Sequence, residues 1–146
     1  MRYTITFFLA FLLIPNIHAV EHEVKMLNQG SSGVMVFEPA VLKINIGDSV
    51  TFKATDAAHN SASVSSMIPE GGSTWNSSLS RDITVKFDKS GIYVYQCTPH
   101  VMMAMVGVIQ VGEDKSNLEK VKENAALFKS SFVMNNTRLD DYLSEL

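Results

Sequence analysis

Nine consecutive residues, Cys97-Thr98-Pro99-His100-Val101-Met102-Met103-Ala104-Met105, bring together one thiol, one imidazole and three thioethers. Soft sulfur ligands select copper(I), and imidazole serves both copper oxidation states. A site of one thiolate, two imidazoles and a weak thioether would pass one electron with little movement of its ligands. The loop can supply three of those donors, so a second histidine must come from elsewhere. Once an export leader ending at Ala19 is set aside, only His22 and His59 remain outside the loop. His22 falls beside the new N-terminus, where chains are often poorly ordered. His59, in Asp56-Ala57-Ala58-His59-Asn60-Ser61, follows an apolar strand pattern that can hold it, and it is the assigned partner. Which methionine supplies the thioether stays open on residue types alone, because Met also fills irregular gaps in cores.

The leader rests on Arg2, the run Phe7 to Ile14 and the ending Ile17-His18-Ala19. A positive start, a short apolar stretch and a small residue at the cut describe a secretory signal peptide. The run is too short for the ~20 residues that span a bilayer. Cleavage after Ala19 removes one basic residue and no acidic one, so the net charge moves from −3 to −4. That balance excludes a basic nucleic-acid-binding protein. Export places the single Cys97 in an oxidising compartment. A lone thiol there is a metal ligand, a reactive group, half of an intermolecular bridge, or simply a buried small hydrophobe. With 146 residues, 46% apolar and 18% charged, the chain has the composition of one globular domain.

The elements that must position these residues read as short strands. Leu42, Ile44 and Ile46 alternate with polar residues, as do Val50 and Phe52, with Gly47-Asp48 between them. The pattern predicts two half-buried strands joined by a turn. Ile83, Val85 and Phe87 repeat it. Ile92 to Cys97 predicts a strand with Tyr93, Tyr95 and Cys97 on one face, and Met105 to Val111 a last one. Val24–Leu27 and Val34–Phe37 complete seven or so strands, which suggests a β-sandwich over residues 20–112. Residues 113–146 change period. Ser116 and Glu119 fit a capping box, and Leu118, Val121, Ala125 and Phe128 form one helical stripe. Leu139, Tyr142 or Leu143, and Leu146 sketch a second helix capped by Asn136 or Thr137. The helices are expected to cover an end or open edge of the sandwich.

The chain resembles the cupredoxins and, within them, the pseudoazurins. The resemblance is carried by Met35-Val36-Phe37-Glu38-Pro39, Gly47-Asp48-Ser49-Val50-Thr51-Phe52, His59-Asn60, Met67-Ile68-Pro69-Glu70-Gly71, Cys97-Thr98-Pro99-His100 and Met105-Val106-Gly107-Val108-Ile109-Gln110-Val111-Gly112. It runs from about Glu23 to Leu127. It implies an all-β, eight-stranded Greek-key sandwich with a short C-terminal helical extension and one type 1 copper. The ligands it implies are His59, Cys97, His100 and Met105. Relatives with a shorter loop would place the thioether at Met103, but Met105 sits two residues before Gly107 and the following strand fixes that register. Asn60 resembles the residue that bonds across to the ligand loop, and such bonds orient ligands.

The implied role is periplasmic one-electron shuttling, not enzymatic turnover. Implied partners are redox proteins, such as a copper nitrite reductase or c-type cytochromes, in transient contact around the outer edge of His100. Met35, Pro99, Val101, Met102 and Met67 are expected to form an apolar patch there. No nucleic acid, no membrane after leader removal and a monomeric state are expected. The family usually has glycine where Met102 and Ala104 stand, and lysines around the patch where this chain is net acidic. The alternative function is copper trafficking or storage, with the methionines holding copper(I) at the surface.

Overall fold

The computed structural model describes residues 18–146. The predicted leader lies, up to residue 17, outside the described residues. Eight strands form two four-stranded sheets packed face to face. They are β1 (Glu21–Gly30), β2 (Gly33–Glu38), β3 (Val41–Ile44), β4 (Ser49–Lys53), β5 (Ala62–Ser63), β6 (Ile83–Lys86), β7 (Gly91–Gln96) and β8 (Val106–Val111). One sheet runs β2-β1-β4-β6 and the other β3-β8-β7-β5. β1 and β4 are parallel, as are β3 and β8; the other pairs are antiparallel. The two-residue β5 has no counterpart among the predicted strands.

The two strands expected to be joined by a simple turn, β3 and β4, lie in different sheets. Asp48 organises the crossing: its carboxylate accepts hydrogen bonds from the amides of Asn45 (2.9 Å) and Val20 (2.8 Å). Gly47, at φ +94°, supplies backbone open only to glycine at low cost. Ile46 is therefore not a strand residue, and half its surface is exposed despite the alternation it extends.

Alternate residues of both sheets fill the space between them. Val24, Met26, Phe37, Val50 and Phe52 come from one side, and Tyr93, Tyr95, Cys97, Ile109 and Val111 from the other. Phe37 meets Tyr95 edge-on at 4.7 Å, and Phe52 stacks on Trp75 at 5.6 Å. Each such pair adds about 1 kcal/mol beyond its buried area. Tyr93, Tyr95 and Cys97 share this face as the sequence predicted.

Helices α1 (Leu118–Phe128) and α2 (Arg138–Ser144) pack on the outer face of the second sheet, and Asn117 at the start of α1 also covers part of its edge. Ile92, Val94, Val106 and Val108 on that face meet Val121, Ala125, Phe132, Leu139, Tyr142 and Leu143. β7 and β8 are thus buried on both faces, which explains their nearly unbroken apolar runs. The capping box of Ser116 and Glu119 does not form; Asn117 is the cap residue and makes no side-chain cap bond. Its side-chain amide instead exchanges two hydrogen bonds with Ile92, accepting from its N–H and donating to its carbonyl (2.9 and 2.8 Å). Ile92 lies two residues before Val94, whose carbonyl is bonded to Val64. Asn117 therefore stands in for the strand that β5 is too short to provide. Thr137 precedes α2 as expected, but its hydroxyl bonds Asp141 instead of capping a backbone amide.

Candidate metal centre

The loop joining β7 to β8 is a closed unit. The Cys97 amide donates to the Met105 carbonyl (2.9 Å), and the Met105 amide to the His100 carbonyl (3.2 Å). Tight helical turns over Thr98–Met103 start with a proline in the first positions, where a missing N–H costs nothing. Ala104 closes them in the left-handed conformation, φ 57° and ψ 40°. Beyond the loop, a Cβ on Gly107 would lie 2.3 Å from the Tyr95 ring, so only glycine lets β8 approach β7 here. His59 lies on the connection leaving β4, and its carbonyl accepts from the Ser80 amide (2.8 Å).

Three predicted ligands meet. The Nδ1 atoms of His59 and His100 are 3.0 Å apart, and the Cys97 sulfur lies 3.7 Å and 3.4 Å from them. The point equidistant from all three is close to each, at about the 2.0–2.3 Å of metal–nitrogen and metal–sulfur bonds. On His59 the far nitrogen Nε2 donates to Asn28 Oδ1 at 3.0 Å, which leaves the lone pair on Nδ1 facing the sulfur. Burial, and then the neighbouring His100, push the His59 imidazole below its ordinary pKa, so it stands ready as a neutral donor. Burial pushes the Cys97 thiol up, opposed by the amides of Asn60 and His100. A metal must therefore displace that proton to bind. The donor set suits copper.

Of the loop methionines only Met105 is fully buried, in the core cluster that holds Cys97. Met103 is half-buried and Met102 exposed. His22, the rejected histidine, is not frayed: it sits in β1 with Nε2 3.0 Å from Asp48. Its place in β1 is well down the strand from Asn28, the residue that touches His59, so it takes no part in the site.

Asn60 does cross to the ligand loop. Its Oδ1 accepts from the Thr98 amide at 2.7 Å, and its Nδ2 donates to Thr98 Oγ1, Asn76 Oδ1 and the Ser77 carbonyl. Its own amide points at the Cys97 sulfur, 3.5 Å away. Asn28, which orients His59, was not anticipated, and no local pattern marks it. His100 is half-buried, beside exposed Pro99 and half-buried Val101 in the chain, with Met102 exposed and Met35 half-buried. Met67 is not part of this patch. It is wholly buried between sandwich and helices. The C-terminal segment joins the patch instead, as the amides of Val133 and Met134 both donate to the Met102 carbonyl and their side chains stay exposed.

Residues 24–112 match the copper binding proteins of the plastocyanin/azurin family. The chain belongs to that family. It is 50% identical over 104 residues to a putative pseudoazurin of Rhizobium leguminosarum, covering 71% of this chain and 68% of the relative. The crystal structure of pseudoazurin from Methylobacterium extorquens superposes with a TM-score of 0.75 at 38% identity, over 86% of this chain and 98% of that one. Native pseudoazurin from Hyphomicrobium denitrificans gives 0.77 at 35% identity, with the same coverage. The protein is thus an electron-carrier cupredoxin and not an enzyme, and its His/Cys/His/Met arrangement is consistent with one type 1 copper.

Proposed function

We propose that this cupredoxin is a periplasmic, pseudoazurin-like carrier of single electrons, with His59, Cys97, His100 and Met105 as its copper ligands. The observation that carries the reading is the triangle of two imidazole Nδ1 atoms and one thiol sulfur, sized for a metal and held by a buried scaffold. Copper bound there supplies a one-electron couple. Cys97 would hold the ion through its thiolate, His59 and His100 through their Nδ1 atoms and Met105 through its thioether, which would tune the potential. The scaffold keeps the donors in place in both oxidation states. His100, the proposed ligand that is not fully buried, offers the port for electrons. The apolar rim of Pro99, Val101 and Met102 excludes water during a brief encounter. Its partners are other redox proteins, a copper nitrite reductase or a c-type cytochrome. The leader pattern supports export to the periplasm. Among the described residues no helix is long and apolar enough to cross a membrane.

Purified protein is expected to hold one copper per chain, show an intense thiolate-to-copper(II) band and cycle reversibly in voltammetry. Met105→Gln is expected to keep the band and lower the potential by at least ~60 mV, a tenfold shift for one electron, because an amide oxygen favours copper(II). Met103→Leu, which changes little volume, is expected to leave the potential in place. The reverse pattern would move the axial role to Met103. Copper(I) binding without band or cycling would favour trafficking instead.

A further inference from the structure

Arg138 opens α2 with only 8% of its surface exposed. A cation at a helix N-terminus opposes the helix dipole, so the helix gives no reason for its charge. Among the described residues it forms no ion pair. Its guanidinium instead reaches across to four backbone carbonyls. Nη1 donates to Met35 and Ala104 (3.1 Å each), and lies 3.4 Å from Val34 and Met103; Nη2 also reaches Val34 at 3.4 Å. Val34 and Met35 belong to β2, and Met103 and Ala104 end the ligand loop directly before Met105.

The two nearest carbonyls share a feature. Met35 (φ 49°) and Ala104 (φ 57°) are non-glycine residues in the left-handed region. L side chains enter that backbone state at a cost. Such strain persists only where surrounding contacts hold it. Arg138 bonds the carbonyl of each, and charge-assisted hydrogen bonds are the strong kind.

We propose that Arg138 is a positioning residue for the copper site: its guanidinium pins the strained Ala104 turn to β2, fixes the backbone that carries Met105, and places a buried positive charge that favours copper(I). This rests on the electron-carrier reading above. Bound through one thiolate, copper(I) leaves the site neutral and copper(II) leaves it with one positive charge, so a nearby cation disfavours the oxidised form. The Ala104 carbonyl is 3.1 Å from Nη1 and Met105 is the next residue. The charge therefore lies on the order of 10 Å from the site. At an effective dielectric of about 20, that is on the order of a tenfold preference.

The test compares wild type with Arg138→Met and Arg138→Lys, using full-length protein with and without copper. Arg138→Met is expected to keep one copper per chain and the thiolate band. Its preference for copper(I) falls about tenfold, read as about 59 mV of lowered potential. In metal-free protein the Met105 amide, bonded to the His100 carbonyl, should exchange at least about tenfold faster in deuterium oxide, while Ile92 and Val108 in the sheet keep their rates. Arg138→Lys keeps the charge but cannot span four carbonyls, so its potential should stay near wild type while Met105 exchange still quickens. Unchanged potential and exchange in Arg138→Met would overturn the proposal, and so would faster exchange spread evenly through the sheet. If Arg138→Met does not fold, unaltered Met105 exchange in Arg138→Lys does the same. A wild type without band or reversible couple instead overturns the electron-carrier reading, whatever Arg138 does to exchange.

Discussion

Asn60→Ala removes a side chain that stitches two segments at the site, and its cost can be worked from the bonds lost. Asn60 is 5% exposed. Its carbonyl accepts from the Thr98 amide at 2.7 Å, and its NH2 group serves three acceptors at 3.1 to 3.3 Å. The NH2 group has two hydrogens to share among those acceptors, so at about 1 kcal/mol net per bond the loss would be about 3 kcal/mol. Thr98 and Asn76 are exposed, so water recovers part of it. About 2–3 kcal/mol remains. For a domain of this size that lowers Tm by roughly 6–15 °C. The assay is thermal unfolding of metal-free protein, which keeps copper affinity out of the comparison. The Asn60 amide still faces the Cys97 sulfur in the variant, so loaded protein should retain its thiolate band. Asn60→Asp keeps the acceptor for Thr98 but turns a carboxylate toward three acceptors, and should be at least as unstable at pH 7. A metal-free Asn60→Ala protein melting within about 2 °C of wild type would refute the reasoning, because the bonds would then be no better than those water offers.

Cys97→Ser should bind copper weakly through the histidines and lose its intense visible band, and a retained band would remove Cys97 from the site. Asp48 is buried, which raises its pKa, but donation from the Val20 amide, His22 and the Asn45 amide outweighs this and holds it below the ordinary carboxylate range. A depressed folded-state pKa contributes stability above the unfolded value of about 3.9 that is lost as pH falls through the folded one. Asp48→Asn should therefore be less stable at pH 7 and show a flatter loss of stability from about pH 4 downward, measured as urea midpoints against pH. Gly107→Ala would place a methyl 2.3 Å from the buried Tyr95 ring, and an overpacking cost of about 3 kcal/mol should lower its urea midpoint clearly.

The ligand loop was legible because its chemistry is local: thiol, imidazole and thioether lie within nine residues, and His59 followed from the scarcity of histidines. The strands β7 and β8 were legible because burial on both faces demands unbroken apolar runs. What failed was whatever distant residues decide. Asn28 meets His59 across 31 positions, and Arg138 meets Ala104 across 34. Neither spacing leaves a periodic trace. The Ser116–Glu119 pattern is sound in isolation, but Asn117 is drawn to the sheet edge and the Ser116 amide finds Asp114. Alternation continued through Ile46 although the chain had already left the sheet, since two residues of pattern cannot show where a strand stops pairing. Met67 reads as surface or core equally well by type; the helices that cover it settle the matter.

The burial of the site has a consequence for how long the protein stays loaded. His59, Cys97 and Met105 are wholly enclosed, and His100 is the ligand in the proposed set that meets solvent. Ion and electron then share one doorway. A partner seated over His100 occupies the path by which the metal would leave and by which protons would reach the imidazole to release it. Each productive encounter is thus also an interval in which the holoprotein cannot decay. A carrier kept busy by its partners would outlast an idle one, with its working life set by traffic at the doorway and not by affinity alone.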